Sequence, residues 1–590
     1  MDTETRTCQN CKQNFVIESD DFAFYKKVEV PAPTWCPECR AIRRHIFWAE
    51  RNLFRKKEAL AGKEVFSTYP EKSPIKIYDH DYWWSDNWDP MEYGREYDFS
   101  VPFFEQFKEL MRAVPWPSRS VQQMVNSDYC NMAGYFKNCY LCFNGDENTD
   151  CMYGVAALGM KDCVDFYQCE QSELSYEEFN TSHNYNSFFN IDSTNCRESW
   201  FLKTCVDCDH CFGCINLRHK KYHIFNEPYS KEDYVKKIKE FNLGSYQSLA
   251  EIKRKVENFR LAYPRKYVSG GFFNTNVVGE YVYRSKNVLY SYQALEMENV
   301  RYSQNLSRGV KDCWDYTNWG NNTELIYECS SCGENCKNLK FCFDCWPGVN
   351  DLEYSMSCHS SSNLFGCVGL RKKQYCILNK RYSKEEYEAM VLKIKKQMTE
   401  MPYVDKNGRV YKYGEFFPLE LSPLAYNESS AFDYFPKTVA QVVDFGAEWR
   451  EPDQKEYETT LASENIQDHI NEISVNILKE TIQCAACKRA FRLIERELNF
   501  YKRFSLPIPR LCFNCRHSER VKLRNPMKWY KRQCMCAGAQ SANHQSQLAY
   551  KNFSKHFHGD NSCPREFETT YAPDRAEIIY CEECYNAEII

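Results

Sequence analysis

The middle of the chain alternates polar turn residues with short apolar runs. In a first series, an Asn, Asp or Glu stands directly before a Cys, Tyr or Leu at spacings of 10 to 12 residues. The members of this series are Asp128, Asn138, Asp150, Asp162, Glu173, Asn184 and Asn195. A second series, at spacings of 11 to 14 residues, comprises Asn276, Asn287, Asn299, Asp312, Glu324, Asn338, Asp351 and Asn363. Each unit predicts one corner and one short strand.

A unit of this length cannot bury its own inward face, so it gains a core only by stacking on its neighbours. We therefore predict two parallel β-solenoids, the first array (123–226) and the second array (266–379). Two units would make one coil of about 22 to 26 residues. Mixed antiparallel sheet is the alternative, because the alternation of apolar and polar residues is imperfect.

Both arrays end in the same sequence, 153 residues apart. Residues 212–214, Phe-Gly-Cys, return as residues 365–367. A Tyr-Ser-Lys-Glu tetrapeptide then follows each ending and opens a predicted helix, where Ser383 with Glu386 matches a capping box. The arrays are therefore a duplication, and each helix is expected to cover an exposed end of its array.

The two ends of the chain share a second duplication, a frame of two Cys-x2-Cys pairs separated by 24 residues. Its cysteines are Cys8, Cys11, Cys36 and Cys39, and then Cys484, Cys487, Cys512 and Cys515. Such pairs converge on one tetrahedral zinc ion, so we predict a zinc ribbon at each place. Disulfides are the alternative, but the start of the chain resembles no secretory signal, and cytosolic thiols stay reduced.

The identity between the two frames extends beyond the cysteines. At a constant offset of 476, Phe24 and Tyr25 match Phe500 and Tyr501. The arginines match as well, Arg40 with Arg516 and Arg44 with Arg520. We expect the aromatic residues to form a small core and the metal to contribute most of the folding free energy of each ribbon.

A third ribbon is predicted at the C-terminus. Its ligands are expected to be Cys536, Cys563, Cys581 and Cys584. An insertion between Gly538 and Ser562 separates the first two ligands, so Cys534 is the alternative first ligand. Cys534 with His558 is a further candidate, either for an extra metal site or for a substitute ligand.

Many more cysteines lie within the arrays, and two groups have the close spacing of metal clusters. They are Cys205, Cys208, Cys211 and Cys214, and Cys329, Cys332, Cys336, Cys342 and Cys345. In the duplicated array, Cys208 falls on Ser361. A fold that accepts serine there does not need the thiol as a ligand, so inward-facing thiols are favoured over a zinc or iron–sulfur cluster.

A chain of 590 residues implies several domains. The predicted segments are an N-terminal zinc ribbon (1–58), an aromatic and acidic connector (59–122), the first array (123–226), a helical segment (227–265), the second array (266–379), a helix (380–400), an extended connector with a helix from about 453 to 480 (401–480), a basic zinc ribbon (481–533) and a C-terminal ribbon with an insertion (534–590).

Charge is distributed unevenly along the chain. The net charge is −5, but the segment from Cys484 to Gln533 holds fourteen Lys or Arg against three acidic residues. Basic groups neutralise phosphates and aromatic faces stack on bases, so this segment predicts a nucleic-acid surface. Its residues are Arg516, Arg520, Lys522, Arg524, Lys528, Trp529, Lys531 and Arg532. Alternatively, the arginines brace the ribbon or pair with acidic groups of an array.

The N-terminal frame, with Pro-Glu between Cys36 and Cys39 and with Arg40 after it, resembles the probable zinc-ribbon domain family. Together with the segments 512–526, 567–573 and 580–585, the whole chain is similar to large uncharacterised multi-zinc-ribbon proteins of candidate-phyla bacteria. The resemblance implies ribbons and zinc. It implies no activity.

The functional prediction is a zinc-binding, non-enzymatic adaptor with about three structural zinc ions, which binds nucleic acid or a nucleoprotein through the basic C-terminal ribbons. A scaffold that binds proteins and no nucleic acid is the alternative. The sequence contains no phosphate loop, HExxH motif, nucleophile elbow or dinucleotide fingerprint. No apolar run approaches the roughly 20 residues of a membrane span, and a cytoplasmic location without membrane partners is expected.

Overall fold

The computed structural model describes residues 3–271, 273–451, 457–538, 540–542 and 549–590. Strands account for 30% of the residues and helices for 24%, so the mainly-β class is confirmed. Clusters of cysteines lie near both termini. Of the residues that the structure describes, none belongs to a helix long and apolar enough to cross a membrane.

Two compact units make up the chain, and each is discontinuous in sequence. The first unit combines Met1–Ser120 with Gly270–Glu451, and the second combines Val121–Ser269 with Pro452–Ile590. The N-terminal ribbon therefore shares a unit with the second array, and the C-terminal ribbons share a unit with the first array. The order of segments along the chain does not indicate this pairing.

The first array begins with a six-stranded sheet in which every pair is parallel. Its strands are Val121–Gln122, Asn131–Gly134, Phe143–Asp146, Val155–Leu158, Val164–Glu170 and Tyr176–Phe179. Isolated parallel bridges continue the same pairing to strands Asp209–Phe212 and Lys221–Ile224. The short strand Glu227–Pro228 closes the array in an antiparallel pair.

The second array is an eleven-stranded sheet, parallel except for its last pair. Its strands are Thr275–Tyr283, Lys286–Leu295, Met297–Arg301, Gln304–Ser307, Val310–Gly320, Thr323–Gly333, Lys337–Lys340, Asn350–Glu353, Ser362–Phe365, Gln374–Ile377 and Lys380–Arg381. Strand Lys286–Leu295 pairs with the two strands that follow it, and both of these pair with Val310–Gly320. These four parallel strands therefore close on themselves.

The register of the ladders shows how far the chain advances in one step. Val155 pairs with Tyr167 and Val164 with Tyr176, twelve residues later in each case. In the second array the step is 11 to 13 residues. One repeat unit therefore makes one ladder step, so the predicted coil of two units was wrong. The spacing of corners does not reveal how many corners one coil contains.

Corners of the first array have left-handed backbone at every third residue. Between Asn138 and Asp150, for example, the φ angles of Asn138, Leu141, Asn144, Glu147 and Asp150 lie between 50° and 56°. Asn and Asp tolerate this conformation best, because their short side chains bond locally. Here they also bond to one another between steps, as Asn138 Nδ2 donates to Asp150 Oδ1 at 3.0 Å.

The second array carries the same ladder of side-chain amides. Asn287 Nδ2 donates to Asn299 Oδ1 at 3.0 Å, and Asn299 Nδ2 donates to Asp312 Oδ1 at 2.9 Å. The recurring Asn and Asp residues of the sequence pattern therefore stabilise the stacking of one step on the next as well as the corner itself.

The cysteines of both arrays line the interior. Their side chains are buried among Phe, Leu and Val, and many thiols donate to the carbonyl two residues earlier, as Cys151 does to Thr149 at 3.2 Å. Within the described residues, no array thiol belongs to a group of three or more ligand atoms lying within 4.8 Å of one another. This agrees with the interpretation of the array cysteines as small apolar residues.

Helices follow both arrays, as the tetrapeptides indicate. They are Lys231–Glu240 and Tyr246–Leu261 after the first array, and Lys384–Glu400 after the second. Ser230 and Ser383 are the N-caps, and Ser383 with Glu386 forms the expected capping box.

The remainder of the first unit consists of short elements. Its strands are Glu4–Thr7, Asn14–Ile17, Phe54–Lys57, Glu64–Ser67, Ile77–Tyr78, Trp116–Pro117, Tyr403–Val404 and Val410–Tyr411. Its α-helices are Ser19–Lys27, Pro37–Phe47, His80–Trp84, Phe103–Ala113, Ser430–Tyr434 and Val439–Phe445. The 3₁₀ turns are Pro90–Tyr93, Leu419–Leu421 and Tyr426–Glu428.

In the second unit, the ribbons contribute the other elements. The strands are Arg265–Lys266, Leu461–Ala462, Ile482–Gln483, Ala490–Phe491, Tyr530–Gln533, Gln540–Ala542, Ala549–Lys551, Glu566–Thr569 and Ile579–Tyr580, and the helices are Glu495–Arg503, Phe513–Val521 and Glu582–Ile589.

The helix predicted from about 453 to 480 is absent from the described residues 457–480. That segment forms three 3₁₀ turns, Ser463–Asn465, Ile470–Glu472 and Val475–Lys479. Side chains of His469 and Ser474 bond to backbone N–H groups two residues later and interrupt a continuous helix.

Candidate metal centres

The N-terminal cluster brings Cys8, Cys11, Cys36 and Cys39 together, with all four sulfur atoms within 4.8 Å of one another. Cys8 and Cys11 lie in the turn between strands Glu4–Thr7 and Asn14–Ile17, and Cys36 is the N-cap of helix Pro37–Phe47. The backbone N–H of Cys36 donates to the Cys8 sulfur at 3.2 Å. A helix N-terminus and N–H donors favour thiolates over thiols, as a zinc ligand requires.

The second cluster repeats this geometry with Cys484, Cys487, Cys512 and Cys515. The backbone N–H of Cys512 donates to the Cys484 sulfur at 3.3 Å, and the sulfurs of Cys487 and Cys512 are 3.7 Å apart. Burial opposes ionisation of Cys484, but backbone N–H donors, first among them that of Cys512, lower its pKa to about 7. Both clusters are compatible with zinc-ribbon sites.

In the third cluster, the structure places Cys534 with Cys563, Cys581 and Cys584. This differs from the predicted set, in which Cys536 was the first ligand. Strand Tyr530–Gln533 pairs with Glu566–Thr569, and this pairing carries Cys534 to the end of the strand that lies beside Cys563. A hydrogen bond from the Cys534 thiol is the largest influence on the pKa of Cys581 and lowers it to about 5.

Cys536 belongs to a different group. Its sulfur lies within 4.8 Å of ligand atoms of His556, His558 and Cys584, so Cys584 belongs to both groups. The pairing of Cys534 with His558 predicted from the sequence is therefore replaced by a pairing of Cys536 with His558. His544, which lies in the same insertion, is outside the described residues.

Arg40, Arg43 and Arg44 of the N-terminal ribbon reach into the second array and are fully buried. Arg40 Nη2 lies 2.8 Å from Asp315, and Arg44 Nη1 lies 3.1 Å from the other oxygen of the same carboxylate. Arg40 and Arg44 also approach Glu328, at 3.3 and 3.5 Å. Burial lowers the pKa of Arg40, but the Asp315 carboxylate together with Tyr25 and Tyr327 outweighs burial and raises the pKa well above its usual value.

The basic C-terminal ribbon makes the same contacts with the first array. Arg516 Nε lies 2.8 Å from Asp165, and Arg520 Nη2 lies 2.9 Å from the other oxygen of that carboxylate. Arg520 also pairs with Glu177 at 3.3 Å, and Arg516 with Glu497 at 3.1 Å. The guanidinium groups of both arginines are buried.

The ladder register shows that the acidic partners are equivalent. The ladder pairs of each array can be followed back, step by step, from the Phe of the shared Phe-Gly-Cys ending. The residue directly after the fourth paired residue is Asp165 in the first array and Asp315 in the second. After the third paired residue, the corresponding residues are Glu177 and Glu328. The chain therefore contains two copies of one arrangement, in which a ribbon docks on an array through a cluster of arginines and carboxylates.

Supporting contacts are equivalent too. Asp21 accepts a hydrogen bond from the Tyr302 hydroxyl at 3.2 Å, and Glu497, at the same offset of 476, accepts one from Tyr153 at 2.7 Å. The guanidinium of Arg516 lies 4.7 Å from the centre of the Tyr153 ring. The sequence did not identify these acidic and tyrosine partners, because the steps of the two arrays differ in length before their shared ending and equivalent positions become visible only in the ladder register.

These contacts change the interpretation of the predicted nucleic-acid surface. Arg516 and Arg520 pair with carboxylates of their own unit. Arg524 is buried, with its guanidinium 2.8 Å from the Tyr167 hydroxyl. The assignment of these three arginines as phosphate contacts is therefore corrected, since a buried guanidinium that already contacts groups of its own unit cannot reach a phosphate. The alternative, that the arginines pair with acidic groups of an array, describes Arg516 and Arg520.

The other predicted basic residues are more accessible. Lys522, Lys528 and Lys531 are exposed, whereas Trp529 and Arg532 are half-buried. Lys522 pairs with Glu519 at 2.6 Å, and Arg532 donates to the Ala572 carbonyl at 3.1 Å.

Comparisons with known proteins give no family for this chain. No family model and no curated protein matches it. Among solved structures, a protein described as a "putative acetyltransferase" from Desulfovibrio desulfuricans G20 is 9% identical over 50% of this chain and 86% of that one, with a TM-score of 0.10. A TM-score this low supports no statement about fold or activity.

Proposed function

We propose that the protein is a non-enzymatic scaffold whose terminal ribbons are held in shape by zinc and docked on two β-solenoid arrays. The observation that carries this proposal is the group of four thiol sulfurs, which occurs at three places in the chain. Four thiolates without an open position suit a structural zinc ion, since a catalytic zinc keeps one coordination position for water or substrate. The resemblance to multi-zinc-ribbon proteins agrees with this proposal.

The repeated docking supports a scaffold rather than a nucleic-acid adaptor. In both units the ribbon arginines pair with array carboxylates, so the groups that suggested phosphate binding serve internal structure. Stacked steps of 11 to 13 residues offer long lateral surfaces on which protein partners can dock. None of the 33 cysteines, all of which lie within the described residues, forms a disulfide, which fits a reducing compartment such as the cytoplasm.

Nucleic-acid binding stays the second candidate because three lysines remain exposed. Lys528 and Lys531 flank the aromatic residues Trp529 and Tyr530, and Lys522 lies nearby in sequence. Such a surface would bind phosphates without base readout, and its affinity would fall steeply with salt.

Binding of single-stranded RNA and DNA to the full chain separates the two candidates. As a scaffold, the protein should show no salt-dependent binding by fluorescence anisotropy between low and physiological ionic strength. It should also keep the same protein partners in nuclease-treated extracts when Lys528→Glu and Lys531→Glu are combined. The opposite result, binding that weakens with salt and disappears in the double variant, would establish the nucleic-acid function. Lys555→Ala, an exposed lysine outside this surface, is the matched control.

A further inference from the structure

We propose that the C-terminal ribbon holds a second metal ion, bound by Cys536, His556, His558 and Cys584, and that the Cys584 thiolate bridges this ion to the one in the four-cysteine site. The inference rests on the proposed zinc ribbons, because Cys584 is also a member of the third cluster. The proposal adds a second ion to the C-terminal ribbon, which then holds a two-metal centre with both sulfur and nitrogen ligands.

The number of ligands supports a shared thiolate. The two overlapping groups contain seven side chains, Cys534, Cys536, His556, His558, Cys563, Cys581 and Cys584. Two tetrahedral ions have eight coordination positions between them. A bridging Cys584 supplies the eighth position, so the chain's own residues complete both coordination shells.

His558 is oriented as a metal ligand. Its Nδ1 lies 2.7 Å from the Asn561 carbonyl oxygen, which can only accept, so Nδ1 carries the proton and donates. The lone pair of the neutral ring is then on Nε2, which lies 3.3 Å from the Cys584 sulfur. A carbonyl that fixes the tautomer of a ligating histidine is a usual feature of metal sites.

His556 provides an independent indication. Its side chain is buried, with 8% of its surface exposed, and neither ring nitrogen makes a hydrogen bond. A buried imidazole without hydrogen bonds is costly. Nε2 lies 3.5 Å from the Glu588 carboxylate, so an ion at Nδ1 with the proton on Nε2 would satisfy both nitrogens.

Glu588 is held in place for this role. Its Oε1 accepts hydrogen bonds from the Tyr550 hydroxyl at 3.0 Å and from the Phe553 backbone N–H at 2.8 Å, and its Oε2 accepts one from the Ser554 N–H at 3.1 Å. The carboxylate therefore ties the chain before His556 to helix Glu582–Ile589, which begins next to Cys581 and contains Cys584.

Cys536 has the environment of a thiolate ligand. The side-chain amide of Asn552 donates to its sulfur at 3.3 Å, and the Asn552 oxygen in turn accepts from the Tyr580 hydroxyl at 2.7 Å. An amide donor on sulfur stabilises negative charge there. Two thiolates and two imidazoles are the ligands of a zinc ion, and calcium or magnesium would require oxygen ligands.

Metal analysis of the full chain, loaded with zinc under reducing conditions, tests the proposal. We expect one ion for each of the four groups, hence four per chain. His558→Ala should lower this number by one, Lys555→Ala should leave it unchanged, and His558→Cys, which restores a ligand, should keep all four. If His558→Ala loses more than one ion, His558→Cys decides: four ions support the second site, and fewer overturn it.

The bridge has its own signature. In protein loaded with ¹¹³Cd, a thiolate shared by two ions gives scalar coupling between their resonances, and the His558→Ala variant should lose it. Four ions without that coupling would overturn the shared Cys584. Three ions in the unmodified chain, all with sulfur-only ligands, would overturn the second site and leave the proposed zinc ribbons intact. One ion or none would overturn the zinc ribbons themselves.

Discussion

Replacing Cys487 with serine should destabilise the protein far more than replacing Cys208 with serine, although Cys487 is exposed and Cys208 is buried. An exposed thiol without a metal contributes little to stability, so burial alone predicts the opposite order. As a zinc ligand, however, Cys487 takes part in a site whose metal contributes about 10 to 16 kcal/mol to folding. Its loss should release one ion and unfold the ribbon locally.

Cys208 is a matched control because the duplicated array has Ser361 at the corresponding position. Cys208→Ser should therefore keep all metal and cost about 1 to 2 kcal/mol. Hydrogen exchange measured by mass spectrometry reports the difference directly. Helix Phe513–Val521 should lose protection in Cys487→Ser and on treatment with a strong chelator, but should keep it in Cys208→Ser. Equal protection in the two variants would show that the second cluster holds no structural metal.

Asp165→Ala should produce the second large effect, about 3 to 5 kcal/mol, because it removes the carboxylate that two buried guanidinium groups share and leaves each of them with one remaining acidic partner. Arg516 and Arg520 each form an ion pair with one oxygen of this carboxylate, at 2.8 and 2.9 Å. Asp315→Ala should cost a similar amount in the other unit, where Arg40 and Arg44 lose the equivalent partner.

Local hydrogen exchange is again the suitable measurement, since a chain of two units need not unfold in a single step. Faster exchange is expected in helix Phe513–Val521 for Asp165→Ala and in helix Pro37–Phe47 for Asp315→Ala. Lys522→Ala removes an exposed ion pair with Glu519 and should cost less than about 1 kcal/mol. If Asp165→Ala behaved like Lys522→Ala, the buried cluster would not be what holds the ribbon on the array.

Much of this architecture could be predicted from local signals in the sequence. The offset of 476 identified two cysteine frames whose sulfurs the structure brings together, and the recurring Asn and Asp residues marked positions of the side-chain ladders. Both signals are local, because a Cys-x2-Cys turn and an Asx corner depend on few neighbouring residues.

What the sequence did not reveal depends on distant partners. The size of the coil follows from the ladder register, and the choice of Cys534 over Cys536 follows from the pairing of Tyr530–Gln533 with Glu566–Thr569. Arg516 and Arg520 looked like phosphate contacts because charge alone does not distinguish an exposed arginine from one buried against a carboxylate. Their identity with Arg40 and Arg44 was the one signal that pointed to a structural role.

Zinc K-edge X-ray absorption of the full chain, purified under reducing conditions, tests the central claim most directly. Structural zinc in the three four-cysteine groups predicts a first shell dominated by sulfur at about 2.3 Å, with a minority of nitrogen at about 2.0 Å from the mixed site. A first shell dominated by nitrogen and oxygen, or a protein that retains no zinc, would contradict the account of this chain as a zinc-stabilised scaffold.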